Sequence, residues 1–436
     1  MDGPHYQAVR SDVKSRTMKT QGPHFIDLFA GCGGLSLGLF EAGWQGLFAV
    51  EREPRAFATL AHNLLGNKRY RFAWPIWLKE QAWSLEDLLA NAAIREHLKR
   101  LRGRVDLLAG GPPCQGFSSL GRRQASDPRN QLFRQYLTFV DAIRPKLVLI
   151  ENVQGIARPF KNKQGAESSE ASAGNYAKVI FQELRKLKYE VWPDTVFAGH
   201  YGVPQIRPRF FLIAAPEEDV QADPPDPFVL LKENRNKFLC RKGLNPDKPI
   251  TSGQAIADLH TNNRLEPSPG NPRFNQGRYG PQRSAYQKLM HGELNGAVAL
   301  ADSHRLANHQ PRTVEKFAWF QKKFGQGKKL EPRDHGPYPT KKHSISILHP
   351  GRPAPTVTTL PDDMLHYHEP RILTVRESAR LQSFPDWFEF QGKYTTGGKQ
   401  RVKECPRYTQ VGNAGPPLLA EAVGRALLEF RKQITK

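Results

Sequence analysis

Short apolar runs alternate with amphipathic stretches through the first half of the chain, and that alternation predicts a doubly wound, mostly parallel α/β sheet. The run His24-Phe25-Ile26-Asp27-Leu28-Phe29-Ala30 reads as a first strand, followed by a glycine turn and a helix over 35–42. A second strand over 47–51 precedes a helix opened by Pro54, since proline at a first helical position removes a donor that would be unpaired anyway. The stretch 74–102 reads as mostly helical, 105–109 as strand, 130–143 as amphipathic helix and 146–150 as strand. After a polar loop over 161–174, a helix is expected at 176–187 and strands at 190–197 and 209–214.

The rhythm breaks at Pro216. The Pro- and Asp-rich stretch 216–227 reads as a linker, and regular periodicity then weakens to about position 370. It returns at 374–381 and again at 416–430, a good amphipathic helix. The expected organisation is a flexible N-terminal arm over 1–22, a catalytic domain over 23–215, an irregular insert over 216–370, and a C-terminal segment over 371–436 whose helix returns to the first domain.

Composition alters this picture mainly through charge. The 436 residues carry a net +22 and a pI near 9.9, which favours a polyanionic partner, most simply nucleic acid. Positions 227–353 hold 22 Lys and Arg against 9 Asp and Glu, so +13 of the +22 lies in the insert. No run approaches the roughly 18 unbroken apolar residues of a membrane span, and the polar N-terminus lacks a signal-like apolar region. Cys32, Cys114, Cys240 and Cys405 lie far apart without a Cys-x-x-Cys pair, which argues against a disulfide framework or a metal site and suits a reducing cytoplasm.

Three strand ends carry candidate chemistry. Gly110-Gly111-Pro112-Pro113-Cys114-Gln115-Gly116-Phe117-Ser118 follows an apolar strand, and its prolines stiffen the loop that displays Cys114 as a candidate nucleophile. The strand Lys146-Leu147-Val148-Leu149-Ile150 ends on Glu151-Asn152-Val153, which brings a carboxylic acid to the same sheet edge, where open α/β folds bind ligands. Asp27-Leu28-Phe29-Ala30-Gly31-Cys32-Gly33-Gly34 is a strand entering a glycine turn, and Glu51 ends the next strand, where an acid can bond a ribose diol. The dinucleotide fingerprint fails at Ser36, so a nucleoside cofactor without pyrophosphate fits better, S-adenosylmethionine being the obvious one.

Six stretches, in order, resemble the motifs of the DNA (cytosine-5) methyltransferases, a restriction-modification type of class I, Rossmann-like methyltransferase. They are Phe25 to Gly34, Pro112-Pro113-Cys114-Gln115, Glu151-Asn152-Val153, Tyr201-Gly202-Val203-Pro204-Gln205-Ile206-Arg207-Pro208-Arg209, Arg376-Glu377-Ser378-Ala379-Arg380-Leu381-Gln382-Ser383-Phe384-Pro385, and Gln410-Val411-Gly412-Asn413-Ala414. The resemblance implies S-adenosyl-L-methionine held by Phe29, Ala30, Gly31, Gly33, Gly34, Glu51, Arg52, Pro113, Leu132, Asn413 and Ala414. Arg52 stands where an aromatic often stacks on the adenine, and the family's short acidic third motif has no clear counterpart over 71–102, Glu86 and Asp87 being the candidates.

The same resemblance implies that Cys114 adds to cytosine C6, Glu151 protonates N3, Arg209 holds the carbonyl oxygen, and Arg207 orients this network, Glu151 included. It makes the basic insert a target-recognition domain for double-stranded DNA with a flipped base, in which Arg264, Arg273, Arg278, Arg283 or Arg305 reads guanine or touches phosphate. Pro355-Thr356-Val357-Thr358-Thr359 is expected as a structural strand, and His304, His309 and His343 as polar packing. A cytoplasmic, nucleoid-associated monomer on DNA is the expected state, with any cognate restriction endonuclease acting separately. Rivals are a tRNA cytosine methyltransferase of the same fold, disfavoured by the large basic insert, and a silent DNA-binding paralogue, disfavoured by the intact Cys114, Glu151 and Arg209.

Overall fold

The computed structural model describes residues 22–113, 130–157, 176–262, 265–292, 294, 300–338, 344–395 and 404–434. Strands β1 (His24–Leu28), β2 (Gln45–Val50), β3 (Leu107–Gly110), β4 (Val148–Val153), β5 (Tyr189–Phe197) and β6 (Pro208–Pro216) form one sheet in the order β2-β1-β3-β4-β6-β5. The pairs β1/β2, β1/β3 and β3/β4 are parallel, and β6 runs antiparallel between β4 and β5. Central strands β1 and β3 are buried on both faces, so their residues form near-continuous apolar runs rather than alternating ones, broken in β1 by Asp27. The chain winds from β1 to β2 on one side and crosses to β3 on the other, which leaves a crevice at the carboxyl ends of β1 and β3.

Helices cover both faces. On one face lie α1 (Gly34–Ala42) and α2 (Pro54–Leu64); on the other lie α3 (Leu85–Ala90), α4 (Ala92–Arg100), α5 (Asn130–Ile143) and α6 (Tyr176–Lys186). The stretch 74–102, expected to be mostly helical, yields only α3 and α4. Residues 71–84 are not helical, because Pro75 interrupts them and Trp74 and Trp77 pack edge-on against Phe48 of β2. Strand β4 runs past Ile150 through Glu151 to Val153.

Beyond Pro216 a short turn over Glu217–Asp219 leads to α7 (Pro227–Glu233), which packs on the C-terminal helix, and α8 (Arg235–Arg241), which packs on the turn Ala198–Tyr201. The chain therefore stays on the layer of the large sheet through α8. Then follow α9 (Ser252–Ile256), the antiparallel sheet β7 (Leu265–Ser268), β8 (Asn271–Arg278) and β9 (Leu300–Arg305), with α10 (Ala285–His291) in the connection, and α11 (Pro311–Phe324). A small sheet of β10 (Lys329–Leu330), β11 (Ile345–Ile347) and β12 (Met364–Leu365) closes a second core around Phe317, Phe320, Leu330 and Ile347.

Residues 355–359 do not form the expected strand. A single bridge joins Gln205 to Ala354, and the next backbone groups are met by side chains: Val357 N donates to Gln205 Oε1, and Arg207 donates to Val357 O. The chain ends with α12 (Val375–Leu381), α13 (Arg407–Asn413) and α14 (Pro417–Ile434). Helix α14 lies against α1 at close range. A Cβ on Gly38 would sit 2.4 Å from Ala420 Cβ, so only glycine allows that approach. Among the described residues no helix is long and apolar enough to cross a membrane. His304 is fully enclosed and bonds Thr374 Oγ1 and Leu259 O, His309 is half-buried against Phe317, and His343 lies outside the described residues.

Candidate active site

The end of β1 makes a tight turn in which Phe29 and Gly31 adopt positive φ, 58° and 57°. A Cβ on Gly31 would have nothing within 4 Å, so the turn leaves open space against its backbone, as a ligand that touches the main chain requires. Glu51, just past β2, spans the opening. Its Oε2 accepts from Gly31 N at 2.8 Å and its Oε1 from Glu53 N at 2.7 Å. Burial pushes this carboxyl up, opposed by the two N–H groups and by the charge of Arg52. Arg52 itself is exposed. Segment 410–415 closes the turn from behind: Cys32 Sγ lies 3.7 Å from Gln410 O, Thr59 Oγ1 donates to Gln410 Oε1 at 2.6 Å, and a Cβ on Gly34 would strike Gly415 O at 2.3 Å. This brings Asn413, exposed, and Ala414, buried, to the same strand end.

The neighbouring strand ends are tied together by backbone and amide bonds. Gly111 N donates to Leu28 O at 3.3 Å, and Asn152 Nδ2 donates to Pro112 O at 3.0 Å, which fixes Pro112-Pro113 beside the end of β4. Glu151 Oε1 meets Arg209 Nε at 2.7 Å, with the two side chains 15% and 10% exposed, and its Oε2 faces Gly111. Leu132 is half-buried on α5. Cys114, which follows Pro113 directly, lies outside the described residues.

A glycine turn closed by an acid thus lies beside a Pro-Pro loop bonded to a Glu-Asn-Val strand end. The family model of the C-5 cytosine-specific DNA methylases matches residues 24–429. The chain belongs to that family. It is similar to the Type II methyltransferase M.DdeI of Desulfomicrobium norvegicum, 32% identical over 94% of this chain and 90% of the relative. It is also similar to the Type II methyltransferase M1.HphI of Haemophilus parahaemolyticus, 31% identical over 93% and 87% of the two chains. The fold matches the crystal structure of a candidate DNA modification methyltransferase encoded within an E. coli prophage, with TM-score 0.63 and 24% identity over 94% of this chain and 99% of that one.

Within this methylase one expected role moves. Arg207 feels the charge of Glu151 but makes no hydrogen bond to it among the described residues. Its guanidinium is enclosed and donates to the carbonyls of Val357, Gly412 and Ala414 at 3.0–3.1 Å, so it fastens 357 and the 412–414 turn to the base of β6. Gln205, also enclosed, does the same for Leu381 and Gln382. Arg209 alone of the two arginines pairs with the acid.

Two site features escaped sequence reasoning. Trp83 N donates to Glu51 O at 2.9 Å, which sets Trp83 and Ser84 beside the end of β2, whereas Glu86 and Asp87 are exposed in the first turn of α3. Asp27, fully enclosed in β1, accepts from Ser36 Oγ at 2.5 Å through Oδ2, while its Oδ1 has no partner among the described residues. Burial raises this acid to about 7; the Ser36 bond opposes the shift, and the charges of Glu51 and Glu151 add to it. A lone acid inside an otherwise apolar strand was the available signal.

Proposed function

We propose that this methylase transfers a methyl group to C5 of a specific cytosine in double-stranded DNA, through a covalent bond between Cys114 Sγ and C6 of a flipped-out base. The observation that carries the reading is the strand-end assembly in which Asn152 holds Pro112, the loop leads directly into Cys114, and Glu151 sits within 2.7 Å of Arg209. S-adenosyl-L-methionine, when bound, supplies an electrophilic methyl. The chain offers it the open backbone at Gly31, the Glu51 carboxylate, the Trp83–Ser84 segment, and the Asn413–Ala414 turn.

Cytosine C5 is a poor nucleophile in an aromatic ring. Addition of the Cys114 thiolate to C6 breaks that aromaticity and makes C5 enamine-like. Electron density pushed toward N3 requires a proton there, which Glu151 is positioned to donate, with Arg209 holding both the acid and the ring carbonyl oxygen. After methylation, loss of the C5 proton to water expels the thiolate, N3 returns its proton to Glu151, and the aromatic ring is restored. Neither face of a stacked base is accessible for this, so the target must leave the duplex. The basic region after α8 is the part suited to read the groove, the enzyme acting as a monomer and any restriction endonuclease acting separately.

Duplexes carrying 5-fluorocytosine at the target test this directly, because fluorine blocks the final elimination. The wild type should form an adduct that survives denaturation, and bisulfite sequencing of ordinary DNA should show one modified site. Cys114→Ala should give no adduct and no methyl transfer while still binding S-adenosylmethionine. Appreciable turnover by that variant would overturn the mechanism.

A further inference from the structure

Five arginines of the basic insert are candidates for contact with DNA, and the structure separates them. Arg264 lies outside the described residues, Arg278 is paired with Glu266, and Arg273 and Arg283 are exposed on the surface. Arg305 is different. Its guanidinium carbon lies 4.1 Å from the ring centre of Phe274 on β8 and 3.6 Å from that of Tyr394, so the planar group is held between two aromatic rings. Among the described residues no acceptor or carboxylate bonds it or forms an ion pair with it.

The surroundings hold this stack in place. Arg407 lies against the Tyr394 ring at 4.4 Å and is itself anchored by Gly392 O and Ser303 Oγ, each at 2.9 Å. Ser303 sits at φ 58°, a left-handed backbone in a non-glycine residue, where the β8/β9 ladder is irregular between Gln276 and Arg278. Such a bulge re-aims the side chains that follow it. Gly392 in turn packs against Arg55 in the first turn of α2, just beyond Glu51, so the stack lies toward the crevice end of β2.

A cation stacked on two rings, with its N–H edge unbonded among the described residues, is a fork of parallel donors fixed in one plane. Two parallel donors in a set plane match the O6/N7 edge of guanine, for which Arg is the commonest reader. We propose that Arg305 is a specificity-determining residue that donates two hydrogen bonds to the O6/N7 edge of a guanine in the recognition site, with Phe274 and Tyr394 as its positioning residues. The inference rests on the proposed function, because it presumes that the wild type methylates a specific DNA site.

The test is a methylated-product census by bisulfite sequencing on a random-sequence library, run with wild type, Arg305→Lys, Arg305→Ala and Tyr394→Leu. Thermal unfolding and S-adenosylmethionine binding serve as fold controls. Both Arg305 variants should lose about 5- to 150-fold discrimination at one guanine position, with binding to unrelated DNA unchanged for the lysine variant. Tyr394→Leu, which keeps the charge but releases the plane, should relax the same position more weakly. If Arg305→Lys discriminates like wild type, or Arg305→Ala weakens every sequence equally with a shallower salt dependence, the contact is to phosphate and the proposal fails. Unchanged site choice with only a lowered melting temperature also overturns it, leaving a packing role. Failure of the wild type to methylate at all would instead strike the proposed function.

Discussion

The Arg380 guanidinium, on α12, is completely enclosed and bonds both oxygens of Asp386 at 2.6 Å, both oxygens of Asp258 at 3.0–3.2 Å, and Ala255 O. The Arg209 guanidinium, at the start of β6, meets Glu151 through one nitrogen, and a second donates only to the adjacent Pro208 O. Burying charge costs several kcal/mol per ion, repaid only where every donor and acceptor is matched. The first construction meets that condition and serves as a clamp, tying α9 and the turn after it to the 385–388 segment. Arg376 extends the clamp to Asp302 on β9 and to Phe388 O. The second leaves donors without a partner among the described residues, at a strand end, which is what a pair that must take on a substrate requires. Burial pushes the Asp386 carboxyl up, but Arg380, His291 and Arg376 outweigh it and hold the group far below the usual carboxylate range.

Breaking the clamp should have the largest effect. Asp386→Ala strands the enclosed Arg380 charge against Asp258 alone and should cost about 3–5 kcal/mol of stability, read from urea or guanidinium midpoints. A loss under about 1 kcal/mol would mean that the cluster contributes no clamp. Glu151→Gln should behave in the opposite way. Its amide oxygen can still accept from Arg209, so unfolding should shift little, while single-turnover methyl transfer falls roughly 100-fold or more with the proton donor gone. Near-normal transfer would place protonation elsewhere. Glu51→Ala falls between these, since it removes both a ligand contact and the acceptor for Gly31 N. S-adenosylmethionine affinity should drop by about 1.5–3 kcal/mol by calorimetry, and unchanged affinity would move the cofactor away from β2.

The same contrast explains which parts of the molecule were legible in sequence. Strands β1 and β3 are buried on both faces, so their apolar runs announce them, and α5 matches its amphipathic pattern to the residue. Glu51 and Glu151 were found because acids at parallel strand ends have a place set by topology. Arg207 was misplaced because its partners, Val357, Gly412 and Ala414, come from chain 150 to 207 positions away. Spacing two residues from Arg209 suggests a shared face only inside a strand, and β6 begins after Arg207, at Pro208. The start of the 74–102 stretch reads as helical by local composition, yet Trp74 and Trp77 are spent on Phe48 of β2, contacts that no local pattern records. Arg305 could not be singled out either, since its stack joins β8, β9 and a loop beyond α12.

The mildest test concerns an enclosed acid without a full set of partners among the described residues. Asp27 has Ser36 on Oδ2 and no described partner on Oδ1, and burial raises it to about 7, against about 3.9 in an unfolded chain. The folded state therefore binds this proton more tightly than the unfolded one. The associated stability is complete below the unfolded value, declines as pH rises toward 7, and is flat above. Asp386 has the opposite sign, its contribution being lost only in acid, as pH falls below the ordinary carboxylate range. Asp27→Asn keeps an oxygen for Ser36 and carries no charge, so it lacks the Asp27 slope. Chemical denaturation of both proteins at pH 5 and pH 8 should show the variant gaining about 1–3 kcal/mol on the wild type over that interval, because groups common to both cancel in the difference. A difference that stays constant across those pH values would show that Asp27 is already ionised when folded, and that the crevice holds a partner for its second oxygen.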